Sequence, residues 1–103
     1  MDGNRIDRED ILNYLKKIIA ETLQDQPVEV YLFGSWARKE EKRTSDIDIA
    51  VSSHSAIPLS KWVELREKID ESELPYRVDL VDLSKVNPSF KEKVKKEGIL
   101  WIG

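Results

Sequence analysis

The sequence contains no cysteine, few glycines and prolines, and no long apolar run. Without cysteine, disulfide bonds and thiolate metal sites are excluded. The longest apolar runs are about four or five residues, far short of the ~20 that a membrane-spanning helix needs. The polar start, MDGNRIDRED, also lacks the apolar core of a secretory signal peptide. These absences lead us to expect a soluble cytoplasmic protein that does not associate with membranes.

The chain also lacks an excess of either charge. Its 103 residues include 17 basic and 20 acidic side chains, which leaves a formal net charge of −3. Proteins that coat nucleic acid usually carry a strong basic excess, so nucleic acid is not expected as a partner. The length suits one domain of ordinary size. Residues 1–103 are therefore predicted to form a single domain, without room for separate catalytic and substrate-binding domains.

Hydrophobic periodicity predicts alternating helices and strands. Helices are predicted over 7–24 with Asp7 as N-cap, from Pro58 and Ser60 to before Pro75, and from Asn87-Pro88 to Gly98 as a C′ residue. Strands are predicted at 28–33, 46–51 and 77–82, with a short helix or turn at 35–43 and an apolar tail, 99–102, that can add a strand. This α-β-(α)-β-α-β-α order predicts an α/β fold with a mixed sheet of three to four strands.

Two aspartates interrupt the second predicted strand. Asp46 and Asp48 share one face of Asp46-Ile-Asp-Ile-Ala-Val51, because side chains alternate along a strand. Half-buried carboxylates at this spacing repel each other and are costly unless a cation relieves them. Mg²⁺ prefers such oxygen ligands and keeps phosphate and water in its shell. Asp79, inside the third strand, brings a third carboxylate within reach of the same patch.

A structural interpretation of these acids competes with the metal site. In it, Asp46 caps the turn after Thr44-Ser45 and Asp48 is a solvent-facing strand residue. The third strand also offers Asp82, but it points to the face opposite Asp79 and lies near the strand end, where acids often cap turns. Asp79 is therefore the better candidate ligand.

A second polar element, Gly34-Ser35, follows the first strand directly. Glycine lets the backbone approach a ligand closely, and N–H groups at a helix start, with a serine hydroxyl, suit phosphate oxygens. Several basic residues follow within eight positions: Arg38, Lys39, Lys42 and Arg43. Taken alone, each is typical of a solvated surface charge, and a Gly-Ser pair is typical of a turn. The basic face of the last helix (Lys91, Lys93, Lys95 and Lys96) is likewise interpreted as a solvated surface.

The combination of these elements is more specific than any one of them. Gly34-Ser35, then Asp46-x-Asp48 on a strand and Asp79 on another strand, resembles the signature of DNA polymerase β-type nucleotidyltransferases. The stretch LFGSWARKEEKRTSDIDIAV is similar to the motif of the minimal nucleotidyltransferases, the MNT or MntA-like antitoxins found with HEPN-domain toxins. The resemblance extends over nearly the whole chain and includes its length and element order.

The resemblance implies a role for each motif residue. Gly34 and Ser35 would hold the triphosphate of ATP, with Arg38 and Ser45 as further phosphate contacts. Asp46 and Asp48 would bind two Mg²⁺ ions. Asp79 would complete the second metal site and help to deprotonate the attacking hydroxyl. The implied reaction transfers AMP from ATP to a hydroxyl, on a tyrosine of a HEPN-family toxin partner, within a homodimer or a hetero-oligomer.

Two positions depart from the usual Gly-Ser-Arg-Ala-Arg-Gly pattern. Trp36 stands at its third position and is interpreted as an anchoring hydrophobe in preference to a stacking platform for a base. Lys39 replaces the last glycine of the pattern. We expect this replacement to affect the conformation of the loop more than the chemistry of the site.

Two other functions remain open. The protein can neutralise its partner by binding alone, with the carboxylates as a relic. Alternatively, it transfers nucleotides to RNA or to a small molecule. The second alternative is disfavoured because such relatives carry an additional substrate-binding domain, for which 103 residues leave no space.

Overall fold

Four β-strands form one mixed sheet in the computed structural model, which describes residues 7–103. The first six residues, and with them much of the polar start considered above, lie outside the described part. The elements are α1 (Arg8–Thr22), β1 (Val28–Phe33), α2 (Gly34–Ala37), β2 (Ile47–Ser53), α3 (Leu59–Glu71), β3 (Val78–Asp82), a 3₁₀ turn (Leu83–Lys85), α4 (Pro88–Glu97) and β4 (Ile99–Ile102). None of these helices is long and apolar enough to cross a membrane.

The sheet order is β3-β2-β1-β4. β1 runs antiparallel to both β2 and β4, whereas β2 and β3 are parallel and are joined through α3. The predicted mixed sheet is therefore confirmed, with the tail 99–102 as its fourth strand. Because β1 ends where β2 and β3 begin, the residues Phe33, Asp48 and Asp79 occupy one end of the sheet.

The two faces of the sheet carry separate apolar clusters. Ile47, Ile49 and Val51 are fully buried on the face covered by α1 and α3, as the period-two alternation of β2 predicts. Ala50 belongs to the opposite face, where it packs with Val94 of α4 and its neighbours. Alternation places Asp48 on that same α4 face. Helices thus cover both faces, and the acidic residues lie on the face with the smaller cluster.

The capping residues of two helices behave as the sequence predicts. The Asp7 side chain accepts a hydrogen bond from the Asp10 backbone N–H at 3.0 Å, and Asn87 accepts one from the Phe90 N–H at 2.8 Å. The observed bounds differ by a few residues from those predicted. In particular, Asp46 precedes β2 and is not its first residue.

Gly98 ends α4, but not as the left-handed C′ residue that was expected. It is the C-cap, and its φ of −78° lies in a region open to any residue. A Cβ at this position would lie 2.6 Å from the Val94 carbonyl oxygen and 3.1 Å from that of Leu32. The prediction of a C′ glycine was wrong because the glycine is needed for close backbone contact as the chain turns into β4.

The loop after α2 keeps a glycine-like conformation at Lys39. This residue has φ of 59°, the left-handed region that side chains disfavour. The turn is held by hydrogen bonds from the Lys39 N–H to the Trp36 carbonyl at 3.4 Å and from the Glu40 N–H to the Ser35 carbonyl at 2.9 Å. Lys39 therefore adopts a conformation that suits glycine, at the cost of local strain.

We expect Lys39→Gly to stabilise the protein by about 0.5–1 kcal/mol, because relief of left-handed strain exceeds the entropy cost of glycine. Urea unfolding followed by circular dichroism measures this change. The matched control is Glu40→Gly, at a neighbouring exposed position outside the left-handed region, which should destabilise the protein. Equal destabilisation by both substitutions would contradict the strain at Lys39.

Candidate active site

The Gly34 backbone and the Asp48 carboxylate lie in direct contact. Phe33, the last residue of β1, pairs with Asp48 in the antiparallel register, and the chain then turns at Gly34 with φ of 73°. A Cβ at Gly34 would lie 2.2 Å from Asp48 Oδ2, which is an overlap of atoms. Glycine is therefore required here for two reasons: the backbone has a positive φ, and there is no room for a Cβ. This contact joins the Gly-Ser turn to the acidic strand.

Asp79 lies beside Asp48 on the neighbouring strand. The two residues are partners in the parallel register of β2 and β3, so their side chains share a face. Asp82 instead accepts hydrogen bonds from the Ser84 N–H at 2.9 Å and the Ser84 hydroxyl at 2.7 Å, and it caps the 3₁₀ turn. The preference for Asp79 over Asp82 agrees with this geometry. Asp46, Asp48 and Asp79 are called the acidic patch below.

The electrostatics of the acidic patch are unfavourable for its central residue. Burial raises the pKa of the Asp48 carboxyl, and the charges of Asp79 and Asp46 raise it further, while Arg38 lowers it. Between residues 7 and 103, no basic side chain comes within the 4.0 Å of a salt bridge to these three carboxylates. The patch therefore carries negative charge that nearby basic residues leave largely uncompensated.

Such a patch fits a divalent cation that is shared with a ligand. Within the described range, no three His, Cys, Asp or Glu side chains are grouped closely enough to hold a metal ion by themselves. The acidic patch is thus an open arrangement and not a closed metal cage. Magnesium commonly binds one or two carboxylates and completes its shell with water and substrate phosphates. The three carboxylates, and the raised pKa of Asp48 among them, agree with that kind of site.

Trp36 is an anchor and not a base-stacking platform. Its side chain is 2% exposed and packs edge-on against the Tyr76 ring, with centroids 4.9 Å apart. The indole Nε1 donates a hydrogen bond to the Ser45 carbonyl at 3.3 Å. The Ser45 hydroxyl in turn accepts the Lys42 N–H at 2.8 Å. Ser45 therefore closes the turn before Asp46, a role that was assigned to Asp46 in the structural interpretation above.

A small cavity adjoins Gly34 on the α4 face of the sheet. It has a volume of about 110 Å³, and its walls include Gly34, the basic side chains of Arg38 and Lys93, and the acidic side chain of Glu97. Phe33 and Phe90 form its aromatic part, with ring centroids 5.9 Å apart in an edge-to-face arrangement. Arg38, itself exposed, also pairs with Glu40 at 2.9 Å. Gly34 thus lies between the acidic patch and a pair of cations.

Two features of the site region were missed in the sequence. Lys93 was interpreted only as part of a solvated helix face. Arg8 contacts both Glu41 and the Trp36 carbonyl, across 33 and 28 residues of sequence. No local pattern indicates a contact over such separations, so only the folded chain reveals it.

We expect Asp48→Asn to raise the melting temperature in EDTA at neutral pH by about 2–5 °C. A carboxyl whose pKa is higher in the folded than in the unfolded protein binds more protons when folded. Its contribution to the free energy of unfolding therefore falls as the pH rises from its unfolded pKa through its folded pKa. The gain should therefore shrink as the pH falls toward the ordinary value of 3.8. Thermal melts across this pH range measure the effect. Asp82→Asn is the control and should give no rise; a lower melting temperature for Asp48→Asn would disprove the electrostatic cost.

Comparison with protein families places the chain among nucleotidyltransferases. The family model described as polymerase beta nucleotidyltransferase matches residues 13–102. A relative from Methanocaldococcus jannaschii is 33% identical over 93 residues, which are 90% of this chain and 92% of the relative. The protein adenylyltransferase MntA of Thermococcus cleftensis is 39% identical over 69 residues, 67% of this chain and 69% of its own.

Two solved toxin–antitoxin structures contain a similar chain. One, with AMP-PNP, gives a TM-score of 0.67 at 33% identity and covers 85% of this chain and 73% of that chain. The other is a tri-AMPylated Shewanella oneidensis HEPN toxin in complex with its MNT antitoxin, with a TM-score of 0.61 at 30% identity, covering 88% and 71%. With a family model that spans most of its length, this chain belongs to the polymerase beta nucleotidyltransferase family.

Proposed function

We propose that this protein is an antitoxin that transfers AMP from ATP to a tyrosine hydroxyl of a HEPN-family toxin, with Mg²⁺ as cofactor. The observation that carries the proposal is the position of Gly34, which touches the Asp48 carboxylate and also lines the cavity with Arg38 and Lys93. A metal-bound triphosphate needs carboxylates on its metal side and cations on its phosphate side. Both lie next to this glycine.

In this proposal, the carboxylates of the acidic patch bind the metal ions. Asp46 and Asp48 would hold Mg²⁺ with the triphosphate, and Asp79, in register with Asp48, would complete a second site. When bound, Mg²⁺ supplies positive charge that neutralises the triphosphate and the departing pyrophosphate. Asp79 would also accept the proton of the attacking hydroxyl. The hydroxyl oxygen forms a bond to the α-phosphorus, the bond from that phosphorus to the α,β-bridging oxygen breaks, and pyrophosphate leaves.

The phosphate-binding part consists of the turn after β1 and two cations. Gly34 and Ser35 would present backbone N–H groups and a hydroxyl, and Arg38 would contact phosphate oxygens. Phe33, the N-cap of α2, makes no side-chain capping bond, so it does not compete for the first N–H groups of that turn. Lys93 would add a second cation from α4. Ser45 would support the turn, since its hydroxyl oxygen already accepts the Lys42 N–H.

A protein acceptor is supported by the charge and by the relatives. The net charge of −3 offers little attraction for RNA. The similar solved chains come from toxin–antitoxin structures, one with AMP-PNP and one with an AMPylated HEPN toxin. A hydroxyl that belongs to a bound protein partner agrees with both observations.

The direct test uses ATP labelled at the α-phosphate, Mg²⁺ and a HEPN-family toxin as the acceptor protein. Wild-type protein should transfer label to a tyrosine, and Asp46→Ala/Asp48→Ala should reduce transfer at least ~100-fold, because metal and phosphate charge are no longer balanced. Asp82→Asn, on the same strand as Asp79 but engaged in a turn, should transfer at the wild-type rate.

Two outcomes would count against the proposal. Absence of transfer by the wild-type protein contradicts the enzymatic function. If the double variant still protects cells from the partner at low expression, neutralisation by binding alone is the better account.

We expect Lys93→Gln to raise KM for ATP about fivefold, since one charge-assisted phosphate contact at an exposed site contributes roughly 1 kcal/mol. Lys96→Gln, on the same helix but away from the cavity, should leave KM unchanged. Steady-state rates at varied ATP measure both. Equal effects of the two substitutions would indicate a general charge effect and not a phosphate contact.

A further inference from the structure

Arg8 occupies a position that helix stability does not explain. It is the first residue of α1, where the helix dipole favours acidic side chains, and Glu9 and Asp10 follow it there. A cation at this end is unfavourable for the helix itself. Yet the Arg8 side chain is only 26% exposed, so it is directed toward the protein and not into solvent.

The guanidinium group of Arg8 holds the loop that follows α2. Its Nε donates to Glu41 Oε2 at 2.8 Å, and its Nη2 donates to the Trp36 carbonyl. The guanidinium carbon also lies 5.7 Å from the centroid of the Trp36 ring, within the range of a cation–π interaction. Arg8, Trp36 and Glu41 together are called the loop clamp below.

The loop clamp contacts both ends of the segment that runs from the Gly-Ser turn to Asp46. Trp36 follows Ser35 directly, so the bond from Arg8 to its carbonyl fixes the phosphate turn. The Trp36 indole donates to the Ser45 carbonyl, which directly precedes Asp46. The clamp therefore connects the Gly-Ser turn to the residue before Asp46, and its polar contacts involve neither a carboxylate of the acidic patch nor a residue that lines the cavity of Lys93.

Glu41 depends on Arg8 for its charge balance. Its side chain is 19% exposed and Arg8 is its salt-bridge partner in the described part of the chain. The second carboxylate oxygen, Oε1, is buried without a hydrogen-bond partner there. By contrast, Glu9, the other partner of Arg8, is 73% exposed and bonds it at 3.3 Å. Loss of Arg8 would leave a half-buried charge unpaired, which favours movement of the loop.

We infer that Arg8 and Glu41 are positioning residues that order the nucleotide-binding loop before ATP arrives, an inference that rests on the proposed function. When a loop is ordered in only a fraction of the molecules, the apparent Kd for its ligand equals the Kd of the ordered form divided by that fraction. Once bound, the triphosphate restores the order, so the chemical step is little affected. The clamp thus acts on nucleotide affinity and not on the transfer step.

The kinetic test compares Arg8→Ala and Glu41→Gln with the wild-type protein at a temperature where all remain folded. We expect KM for ATP to rise about tenfold in each variant, with kcat changed less than about threefold, corresponding to an ordered fraction near one-tenth. A merely structural role would lower the melting temperature and leave KM unchanged in the folded protein. Arg8→Lys keeps the charge but lacks the planar fork, so it should restore KM only in part.

Glu9→Gln is the matched control because it removes the exposed partner of the same arginine. Its KM should equal the wild-type value. The double variant Arg8→Ala/Glu41→Gln should show no larger rise in KM than Arg8→Ala alone, because the two residues act as one unit. KM values within twofold of wild type for both Arg8→Ala and Glu41→Gln would overturn the inference, as would equal effects of Glu9→Gln and Glu41→Gln.

Hydrogen exchange of the nucleotide-free protein tests the clamp independently of transfer. The Glu40 N–H bonds the Ser35 carbonyl at 2.9 Å and the Ser45 N–H bonds the Lys42 carbonyl at 3.0 Å. Both amides should exchange at least about fivefold faster in Arg8→Ala and Glu41→Gln, and unchanged in Glu9→Gln. If the wild-type protein fails to transfer AMP but these amides respond, the proposed function fails and the clamp stands. Unchanged exchange in both clamp variants refutes the clamp, and with it the inference.

Discussion

The carboxylate of Asp48 lies so close to the Gly34 backbone that any side chain at position 34 would overlap it. This contact exists only because Phe33 and Asp48 are partners at the end of the β1–β2 pair. A slip of one residue would turn Asp48 to the opposite face and bring Ile47 or Ile49 to the glycine. The apolar side chains that hold the register against α1 and α3 therefore also hold the site together. Core packing and site geometry are one constraint in this small fold.

The same contact separates two regions of opposite charge. On one side, burial and then the charges of Asp79 and Asp46 raise the pKa of Asp48. On the other, Arg38 and Lys93 line a small cavity. Arg38 influences Asp48 through its charge, but its salt-bridge partner is Glu40 and not a carboxylate of the acidic patch. A ligand with both a metal ion and phosphates would neutralise the acidic patch and contact the cations at the same time.

The sequence was sufficient to predict the helices and strands and to identify the nucleotidyltransferase motif, because both depend on local patterns. Alternation along β2 predicted which face Asp48 occupies, and the odd spacing of Asp79 and Asp82 predicted that only one of them joins it. The helix caps at Asp7 and Asn87 were likewise local signals. The conformation of Gly98 was predicted wrongly because the glycine is required by close contact with two carbonyls, of Val94 in the same helix and of Leu32 in β1, and the second of these is not evident from the local sequence. The Arg8–Glu41 pair, 33 residues apart, was missed for the same reason.

Several energetically unfavourable features of this fold lie in or beside the segment that connects β1 to β2. Lys39 adopts a left-handed conformation, Glu41 keeps a buried oxygen without a partner in the described chain, and Asp48 carries unfavourable charge. Strain and unneutralised charge persist in folded proteins where surrounding structure enforces them, and they cluster at functional sites. A surface used only to cover a partner would gain nothing from an acidic patch that repels itself beneath a strained turn. The distribution of these costs therefore favours a loop that binds and positions a charged ligand, and so favours catalysis over neutralisation by binding alone.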